Sequence, residues 1–315
     1  MKSLKVIFFG TPEFAKTSLQ AIYESHHQVV AVVTVADKAS GRGQKIHESP
    51  VKVFAVENQI PVLQPEKLRN PEFLEQIRNL EADVFVVVAF RMMPKVLFEM
   101  PKLGTFNLHA SLLPDYRGAA PINYAVINGE KKTGATTFFI NEKIDEGNIL
   151  LQEEIEIFAH ENSGDVHDRL MEMGAKLVVK TLDGIAENSI REKPQPIMEH
   201  PKNAFKIFKE DTKINWHQNS ENIHNFIRGM APYPCSFTIL KIGNDEKSLK
   251  IFSGNFEKSN HGKTPGTLEI NKNQFKIFTT DGFYFPLEVQ LEGKKRMNIK
   301  DFLNGFRDFD HISIA

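Results

Sequence analysis

The stretch LKVIFFGTPEF, residues 4–14, predicts the class of fold. It begins with a continuous apolar run, and a Gly-Thr-Pro sequence at residues 10–12 closes that run. Apolar residues then recur at helical spacing, at Phe14, Leu19 and Ile22. An apolar run, a tight turn and an amphipathic segment in this order indicate a buried strand that leads into a helix.

Similar apolar runs follow at Val29–Val35 and Asp83–Phe90, with a shorter one at Thr105–His109. Continuous Val-rich strands separated by helical or loop segments are typical of a parallel sheet that helices cover on both faces. Two strand-like runs after Gly134 are joined by a short polar loop, and they predict an antiparallel extension of that sheet. The next segment reads as a long amphipathic helix capped by Ser163.

A change in composition predicts two domains. Residues 190–204 contain three prolines and few apolar residues, as a semi-rigid connector does. We therefore expect a first domain over residues 1–189 and a second over residues 205–315. After one helical stretch around Asn219–Met230, the second domain holds short β-type runs spaced by Gly, Asn, Asp and Lys. This pattern predicts a small OB-like β-barrel, a class often used on nucleic acids.

The overall composition is that of an ordinary globular protein: 315 residues, 41% hydrophobic and 25% charged, with a net charge of −1. Cys235 is the single cysteine, which excludes an intramolecular disulfide and a thiolate metal cluster. The first apolar run is too short for a signal peptide, and no run approaches the length of a membrane span. We therefore expect a cytoplasmic protein that is not membrane-bound.

Charge is divided unevenly along the chain. Residues 1–200 carry a net charge of −5 and residues 201–315 a net charge of +4. A basic second half permits a polyanionic partner, but a difference of this size more often reflects surface composition alone.

The common nucleotide and metal motifs do not occur. GTPEFA follows the first strand in place of G-x-G-x-x-G, and the sequence has no P-loop motif. The eleven histidines form neither H-E-x-x-H nor a comparable ligand cluster, so we expect no metal. Polar side chains alone must then carry the chemistry.

Asn107 and His109 are the first candidates for a site. Side chains alternate along a strand, so these two share one face near the carboxyl end of the Thr105–His109 strand, where parallel α/β sheets bind ligands. The loop Ser111–Pro114 lies beside that edge, and Asp145 is the nearest plausible carboxylate partner for His109. Two interpretations remain open here: a small-molecule site, or a loop-capping Asn, a satisfied His and a turn-forming Asp.

The sequence FNLHASLLPDYRGAAP, residues 106–121, lies between GTPEFA and TGATTFFINEKIDEGNIL and resembles the folate-dependent formyltransferase family. The family pattern is N-x-H-x-S-x-L-P-x-x-R-G with a later Asp-x-Gly. Four later segments, KEDTKINW, IHNFIRG, TPGTL and EGKKRMNIKDFLNG, resemble the C-terminal domain of the members that act on methionyl-tRNA. The resemblance covers essentially the whole chain. It implies a Rossmann-like formyl-transfer domain followed by an OB-like tRNA-binding domain.

The same resemblance implies a reaction. A formyl group passes from N10 of 10-formyltetrahydrofolate to the α-amino group of methionyl-initiator tRNA, by direct attack through a tetrahedral intermediate, for translation initiation. Asn107, His109 and Asp145 match the catalytic residues. Asn107 then donates a hydrogen bond to the formyl oxygen, and His109 exchanges a proton during collapse of the intermediate. Asp145, bonded to the other ring nitrogen, is expected to fix the tautomer of His109.

Folate contacts are implied for two segments, which comprise the residues Ser111, Leu112, Leu113, Pro114, Val88, Ala89 and Phe90. The second segment departs from the family, because the chain reads Ala-Phe-Arg at residues 89–91 where an AYG-like sequence is common. Backbone recognition of the pterin is compatible with this change.

The loop Asp37–Pro50 matches the basic segment that enters the acceptor stem of tRNA in the family. The resemblance therefore implies tRNA contacts by Arg42, Lys38 and Lys45. By itself the loop sequence indicates only a flexible, solvated segment.

Three other functions explain part of this sequence. A nucleotide-sugar formyltransferase shares the three catalytic residues, but it is not expected to have the GRG loop or the EGKKRM…DFLNG tail. A glycinamide ribonucleotide formyltransferase is expected to end near residue 200. A non-catalytic RNA-binding module leaves the catalytic residues unexplained. We expect a monomer.

Overall fold

The computed structural model describes residues 2–40, 45–306, 309 and 311–315. The chain forms two compact units. The first unit comprises Met1–Gly118, Thr133–Ile155 and Asp168–Asn203, and the second comprises Ala119–Lys132, Glu156–His167 and Ala204–Ala315.

The strands and helices up to residue 204 are β1 Lys5–Gly10, α1 Glu13–Tyr23, β2 Gln28–Val33, β3 Lys38–Ser40, β4 Lys45–His47, α2 Pro50–Glu57, β5 Val62–Leu63, α3 Pro71–Asn79, β6 Val84–Val88, α4 Lys95–Phe98, β7 Thr105–His109, β8 Arg117–Gly118, α5 Pro121–Ile127, β9 Lys132–Phe139, β10 Ile149–Glu156, α6 Ser163–Ala186 and β11 Asn203–Ala204. The later elements are a 3-10 turn at Glu210–Thr212, α7 Ser220–Met230, β12 Ser236–Ile242, β13 Asp245–Lys258, β14 Leu268–Asn271, β15 Gln274–Phe278, β16 Gly282–Leu291, β17 Met297–Asn298, α8 Ile299–Asn304 and β18 Ile312–Ile314.

The first unit is built on a seven-stranded sheet with the order β10-β9-β7-β6-β1-β2-β5. The five strands from β7 to β5 pair in parallel, and β9 pairs with β7 in the antiparallel direction. Numbered along the chain, the parallel strands lie in the order 3-2-1-4-5 of a doubly wound sheet. The predicted Rossmann-like fold with its antiparallel extension is confirmed.

Both faces of the central strands are buried, as their continuous apolar runs predict. Alternate side chains of β1, β2 and β6 pack with residues of and around α3 and α4 in one cluster: Ile7, Phe9, Ala31, Val33, Leu68, Phe73, Ile77, Phe85, Val87, Met93, Leu97 and Phe98. The residues between them in the strands, such as Val6, Phe8 and Val86, point to the opposite face and are fully buried as well.

Strand β1 ends at Gly10, beside the end of β6. A Cβ atom on Gly10 would lie 2.6 Å from the Cβ of Ala15 and 3.0 Å from the carbonyl oxygen of Val88. Glycine therefore allows the close approach of strand and helix at this point. The order of the sheet reverses between β1 and β6, and ligands of such sheets bind outside the carboxyl ends of the strands there.

Helix α6 is capped one residue earlier than predicted. The side-chain oxygen of Asn162 accepts hydrogen bonds from the backbone N–H groups of Gly164 at 2.7 Å and Asp165 at 3.2 Å. Ser163 is the first helical residue, and its hydroxyl instead donates to the carbonyl oxygen of Ala231 at 2.6 Å. Asn and Ser cap helices about equally well, so the sequence could not show which of these two adjacent residues is the N-cap.

The second unit contains an antiparallel sheet with the order β14-β15-β16-β13-β12-β18, and β17 pairs with β16. The two ends of this order, β14 and β18, approach each other, so the sheet forms a nearly closed barrel. The predicted OB-like barrel is confirmed. Helices α7 and α8 add to its core, whose buried members are Ile214, Trp216, Ile223, Ile227, Leu240, Leu249, Ile251, Phe275, Ile277, Tyr284, Val289, Leu291, Phe302 and Leu303.

None of the helices among the described residues has the length and apolar character that crossing a bilayer requires.

Candidate active site

Strand β7 carries Asn107 and His109 near the carboxyl end of the parallel sheet. In register, Asn107 lies opposite Val87 of β6 on one side and Phe138 of β9 on the other. The intervening Leu108 is buried, with 3% of its surface exposed. The alternation of the strand thus gives Asn107 and His109 a common face, as predicted.

The imidazole of His109 is buried and hydrogen-bonded. Its Nε2 lies 2.8 Å from the carbonyl oxygen of Tyr116. A carbonyl oxygen can only accept, so Nε2 carries the proton and donates it, and Nδ1 is the nitrogen that remains for a second proton. The carbonyl of Tyr116 therefore fixes the tautomer, a role that the family resemblance implied for Asp145.

Asp145 comes from a distant loop and lies next to this ring. Its Oδ2 is 3.7 Å from Nδ1 of His109, which is ion-pair range but too long for a direct hydrogen bond. The same oxygen accepts a hydrogen bond from the backbone N–H of Gly118 at 2.9 Å. Asp145 has φ of 53°, an unusual backbone conformation for a residue with a side chain. Asp145 thus lies beside His109 in the structure, but the expected hydrogen bond between them is not formed.

Glycine is required two residues after Asp145. A Cβ atom on Gly147 would lie 1.5 Å from the carbonyl oxygen of Phe139, a distance no side chain can occupy. The loop therefore approaches the end of β9 more closely than any other residue allows. This explains the Asp-x-Gly spacing, because the glycine lets the loop turn back and present the carboxylate.

Asn107 is half-buried, and its side chain makes no hydrogen bond to any residue within the described part of the chain. An amide that is neither fully solvated nor paired with the protein can donate to a ligand without breaking an existing bond. Asn107, His109 and Asp145 together thus offer an amide with both N–H donors unused beside a proton-accepting pair.

The loop Ser111–Pro114 is held by hydrogen bonds to the next residue of the chain and to strand β9. The hydroxyl of Ser111 donates to the carbonyl oxygen of Asp115 at 2.7 Å. Thr136 bonds to both ends of the turn, donating to the Ser111 carbonyl at 2.6 Å and accepting from the Leu113 N–H at 3.1 Å. Ser111 and Leu113 are buried, while Leu112 and Pro114 are partly exposed. These bonds fix the loop's shape, and folate contact by its four residues stays a prediction.

The segment Val88–Phe90 leaves the sheet at the switch point. Val88 is fully buried, whereas Ala89 is exposed and turns the chain with φ of 46°. Arg91, at the departure from the family sequence, donates to the carbonyl oxygen of Glu66 at 2.9 Å. A folate contact of this segment also stays a prediction.

The basic loop is described only in part. Lys38 and Lys45 lie in the two-stranded ladder of β3 and β4, where Lys38 is opposite His47 and Lys45 is opposite Ser40. Arg42 lies outside the described residues.

Asp37, the residue before this ladder, is held by two side chains of the first unit. The carboxylate of Asp37 accepts hydrogen bonds from Lys52 and, at 2.8 Å, from Gln64. These bonds, led by the one from Lys52, hold the pKa of Asp37 below its usual range.

Among the described residues, one cluster has the composition of a metal site: His26, His27 and Asp183. The Nδ1 of His27 accepts a hydrogen bond from the N–H of Leu4 at 3.2 Å, so the proton of the neutral ring is on Nε2. That Nε2 lies 3.0 Å from Asp183 and donates to it. The nitrogen that faces the cluster thus has no lone pair for a metal ion, and the group is a hydrogen-bonded pair with a neighbouring histidine.

Sequence reasoning missed Gln195, which bonds to the Asp145 loop and to Arg117. Its amide nitrogen lies 2.8 Å from the Asp145 carbonyl oxygen and 2.9 Å from that of Gly147. Its amide oxygen accepts from Arg117 at 3.1 Å and 2.6 Å. The residue lies in the proline-rich connector, and only its position between two prolines marked it in the sequence.

Family models and known proteins match this chain along most of its length. The family model described as formyl transferase matches residues 4–182, and the model of the formyl transferase C-terminal domain matches residues 206–307. A methionyl-tRNA formyltransferase of Flavobacterium johnsoniae is 47% identical over 100% of both chains. One of Bacteroides fragilis is 45% identical over 97% of this chain and 96% of its own.

A solved structure has a similar fold. A sugar 3N-formyl transferase, crystallised in the presence of dTDP and 5-N-formyl-THF, is 25% identical to this chain with a TM-score of 0.66. The match covers 94% of this chain and 100% of that one. With both family models matched along most of its length, this chain belongs to the formyl transferase family.

Proposed function

We propose that this protein transfers the formyl group of 10-formyltetrahydrofolate to the α-amino group of methionyl-initiator tRNA. The observation that carries the proposal is the full-length similarity to proteins named methionyl-tRNA formyltransferase, which extends through the second unit. Asn107, His109 and Asp145, arranged at the carboxyl end of the sheet, support formyl transfer in particular. The folate supplies the formyl group on N10.

Asn107 stabilises the oxygen of that group. When the amine attacks the formyl carbon, negative charge develops on the oxygen, and a preorganised N–H donor lowers the energy of that state. The side-chain amide of Asn107 is not hydrogen-bonded to any other described residue, so it keeps both N–H donors for this purpose.

His109 and Asp145 transfer the proton from the attacking nitrogen to the leaving one. The attacking nitrogen must lose a proton, and the departing N10 must gain one, while the bond between N10 and the formyl carbon breaks. Nδ1 of His109 accepts the first proton beside the carboxylate of Asp145, 3.7 Å away, which stabilises the resulting imidazolium. His109 then returns the proton toward the leaving nitrogen, and no covalent enzyme intermediate is needed.

The folate lies along two segments in this proposal. Backbone groups of Val88, Ala89 and Phe90 recognise the pterin, and the loop Ser111–Pro114 forms the neighbouring wall. The hydrogen bonds of Thr136 to the loop and of Arg91 to Glu66 support this role, because they fix the shape of both segments.

The tRNA contacts lie on Lys38, Arg42 and Lys45 and on the second domain, residues 205–315, which follows a connector at residues 190–204. Basic side chains on a Gly-containing loop suit phosphate and base-edge contacts of an RNA end. We propose that the enzyme is a cytoplasmic monomer, that residues 1–189 form its formyl-transfer domain, and that it uses no metal.

A comparison of acceptors tests the function. The protein is incubated with formyl-labelled 10-formyltetrahydrofolate and either methionyl-initiator tRNA or a dTDP-linked amino sugar, the acceptor class that the sugar formyl transferase suggests. We expect label on the methionyl group of the tRNA and none on the sugar. Transfer to the sugar with none to the tRNA would overturn the proposal.

A further inference from the structure

Gln195 satisfies all four hydrogen-bonding positions of its side-chain amide on two separate segments of the first unit. Nε2 donates to the carbonyl oxygens of Asp145 and Gly147, at 2.8 Å and 2.9 Å. Oε1 accepts from Nε and Nη2 of Arg117, at 3.1 Å and 2.6 Å. Gln195 thus joins the Asp145 loop to the strand β8.

The chemistry of the partners fixes the orientation of this amide. Carbonyl oxygens only accept and a guanidinium only donates, so the reversed amide would place donors against donors and oxygens against oxygens. Glutamine is therefore matched to this position, because no other side chain of its length provides both two donors and two acceptors. Glutamate, which has the same shape, would keep the contact with Arg117 and lose both bonds to the loop.

Both segments that Gln195 joins hold the carboxylate of Asp145. Gly118, next to Arg117, donates its backbone N–H to Oδ2 of Asp145 at 2.9 Å. On the other side, the carbonyl of Asp145 itself accepts from Gln195, in a loop whose backbone has φ of 53° at that residue. Arg117 also pairs with Glu146 at 3.2 Å, which closes the connection between the two segments.

We propose that Gln195 is a positioning residue of formyl transfer, which holds the Asp145 loop so that the carboxylate faces Nδ1 of His109. The inference rests on the proposed function. Gln195 contacts neither His109 nor the carboxylate directly, and it acts through the backbone of the loop. The Pro-Gln-Pro segment of the connector is therefore part of the active-site framework as well as a link between domains.

The test replaces Gln195 by Glu and, separately, by Met. Gln195→Glu keeps the shape and removes the two donors, while Gln195→Met removes all four bonds without adding a charge. Gln76→Glu, on the exposed face of α3, is the control that makes the same chemical change away from the site. Steady-state kinetics are measured on the full-length protein with methionyl-tRNA and 10-formyltetrahydrofolate.

We expect both Gln195 variants to lower kcat by ~10–100-fold, since a small displacement of a catalytic group has effects of this size. The KM values for both substrates should change by less than ~3-fold, because Asp145 acts on the proton transfer and not on binding. Gln76→Glu should match the unmodified protein. Normal kcat in both variants, or a raised KM with normal kcat, would overturn the inference.

Hydrogen exchange provides a measurement that needs no substrate. Peptides covering residues 143–150 should exchange faster in Gln195→Glu than in Gln76→Glu, while peptides of the central sheet stay protected. If the unmodified protein formylates no tRNA, the proposed function fails and the exchange comparison still decides whether Gln195 holds the loop. Equal exchange in the two variants would show that it does not.

Discussion

Replacement of Asn107 by Ala should reduce turnover strongly and leave the protein folded. The side chain is half-buried and forms no hydrogen bond to the described residues, so its removal leaves no protein group newly unsatisfied. The expected cost in folding stability is below about 1 kcal/mol. This corresponds to a fall in Tm of no more than about 4 °C for units of this size.

The effect on rate follows from the charge on the formyl oxygen. Loss of one preorganised donor to an oxyanion typically reduces kcat ~10²–10³-fold, or about 3–4 kcal/mol in the activation free energy. Asn107→Asp should be at least as impaired, because it keeps the shape and replaces the donor by an oxygen that repels the developing charge. The KM for 10-formyltetrahydrofolate should change little, since the donor is needed most in the transition state.

The assay measures kcat and KM with methionyl-tRNA for Asn107→Ala, Asn107→Asp and Asn79→Ala. Asn79 lies at the exposed end of α3, and its truncation is the matched control for the removal of an amide. Thermal unfolding of the same samples separates a loss of rate from a loss of structure. A kcat for Asn107→Ala within ~3-fold of the control, with an intact fold, would refute the role of this amide.

Three further predictions concern buried groups outside the site. Burial is the main cause that lowers the pKa of His27 below 6.5, so the unfolded chain binds a proton that the folded one does not. The free energy of unfolding should therefore decrease as the pH drops below 6.5. Thermal unfolding should show a smaller decrease for His27→Asn than for the unmodified protein. The guanidinium of Arg228 donates to the carbonyls of Phe158 and Glu161. Arg228→Met should therefore lower the free energy of unfolding of the second unit by about 1.5–3 kcal/mol. Trp fluorescence should then show the urea transition at a lower concentration, and an unchanged midpoint would contradict this. Burial raises the pKa of the Cys235 thiol to about 11, so a disulfide reagent at about pH 8 should label it only after unfolding, and rapid labelling of the native protein would contradict this.

The fold could be predicted from local patterns because its strands are buried on both faces. The apolar run before Gly10 and the Val-rich runs that follow match β1, β2 and β6 within one or two residues, and Thr105–His109 matches β7 at both ends. The short alternating runs after residue 235 likewise match the barrel strands. A continuous apolar run of this length fits few environments, so the pattern predicts a strand that is covered on both faces.

The candidate site residues were predicted from the order of residue types in one motif and a later Asp-x-Gly. That order predicted that Asn107 and His109 share a face, because the period of a strand is local. It could not predict which atom fixes the tautomer of His109. The Tyr116 carbonyl does so through a turn of the loop, and a backbone carbonyl is present at every residue and so has no signal in the sequence.

The sequence by itself determined the two folds and the face that Asn107 and His109 share. Only the tertiary structure decided the partners that join distant segments: the 3.7 Å approach of Asp145 to His109, and the four hydrogen bonds of Gln195. The reason is physical. Periodicity and turn chemistry depend on neighbouring residues, whereas a hydrogen bond between residues 50 positions apart depends on how the whole chain packs.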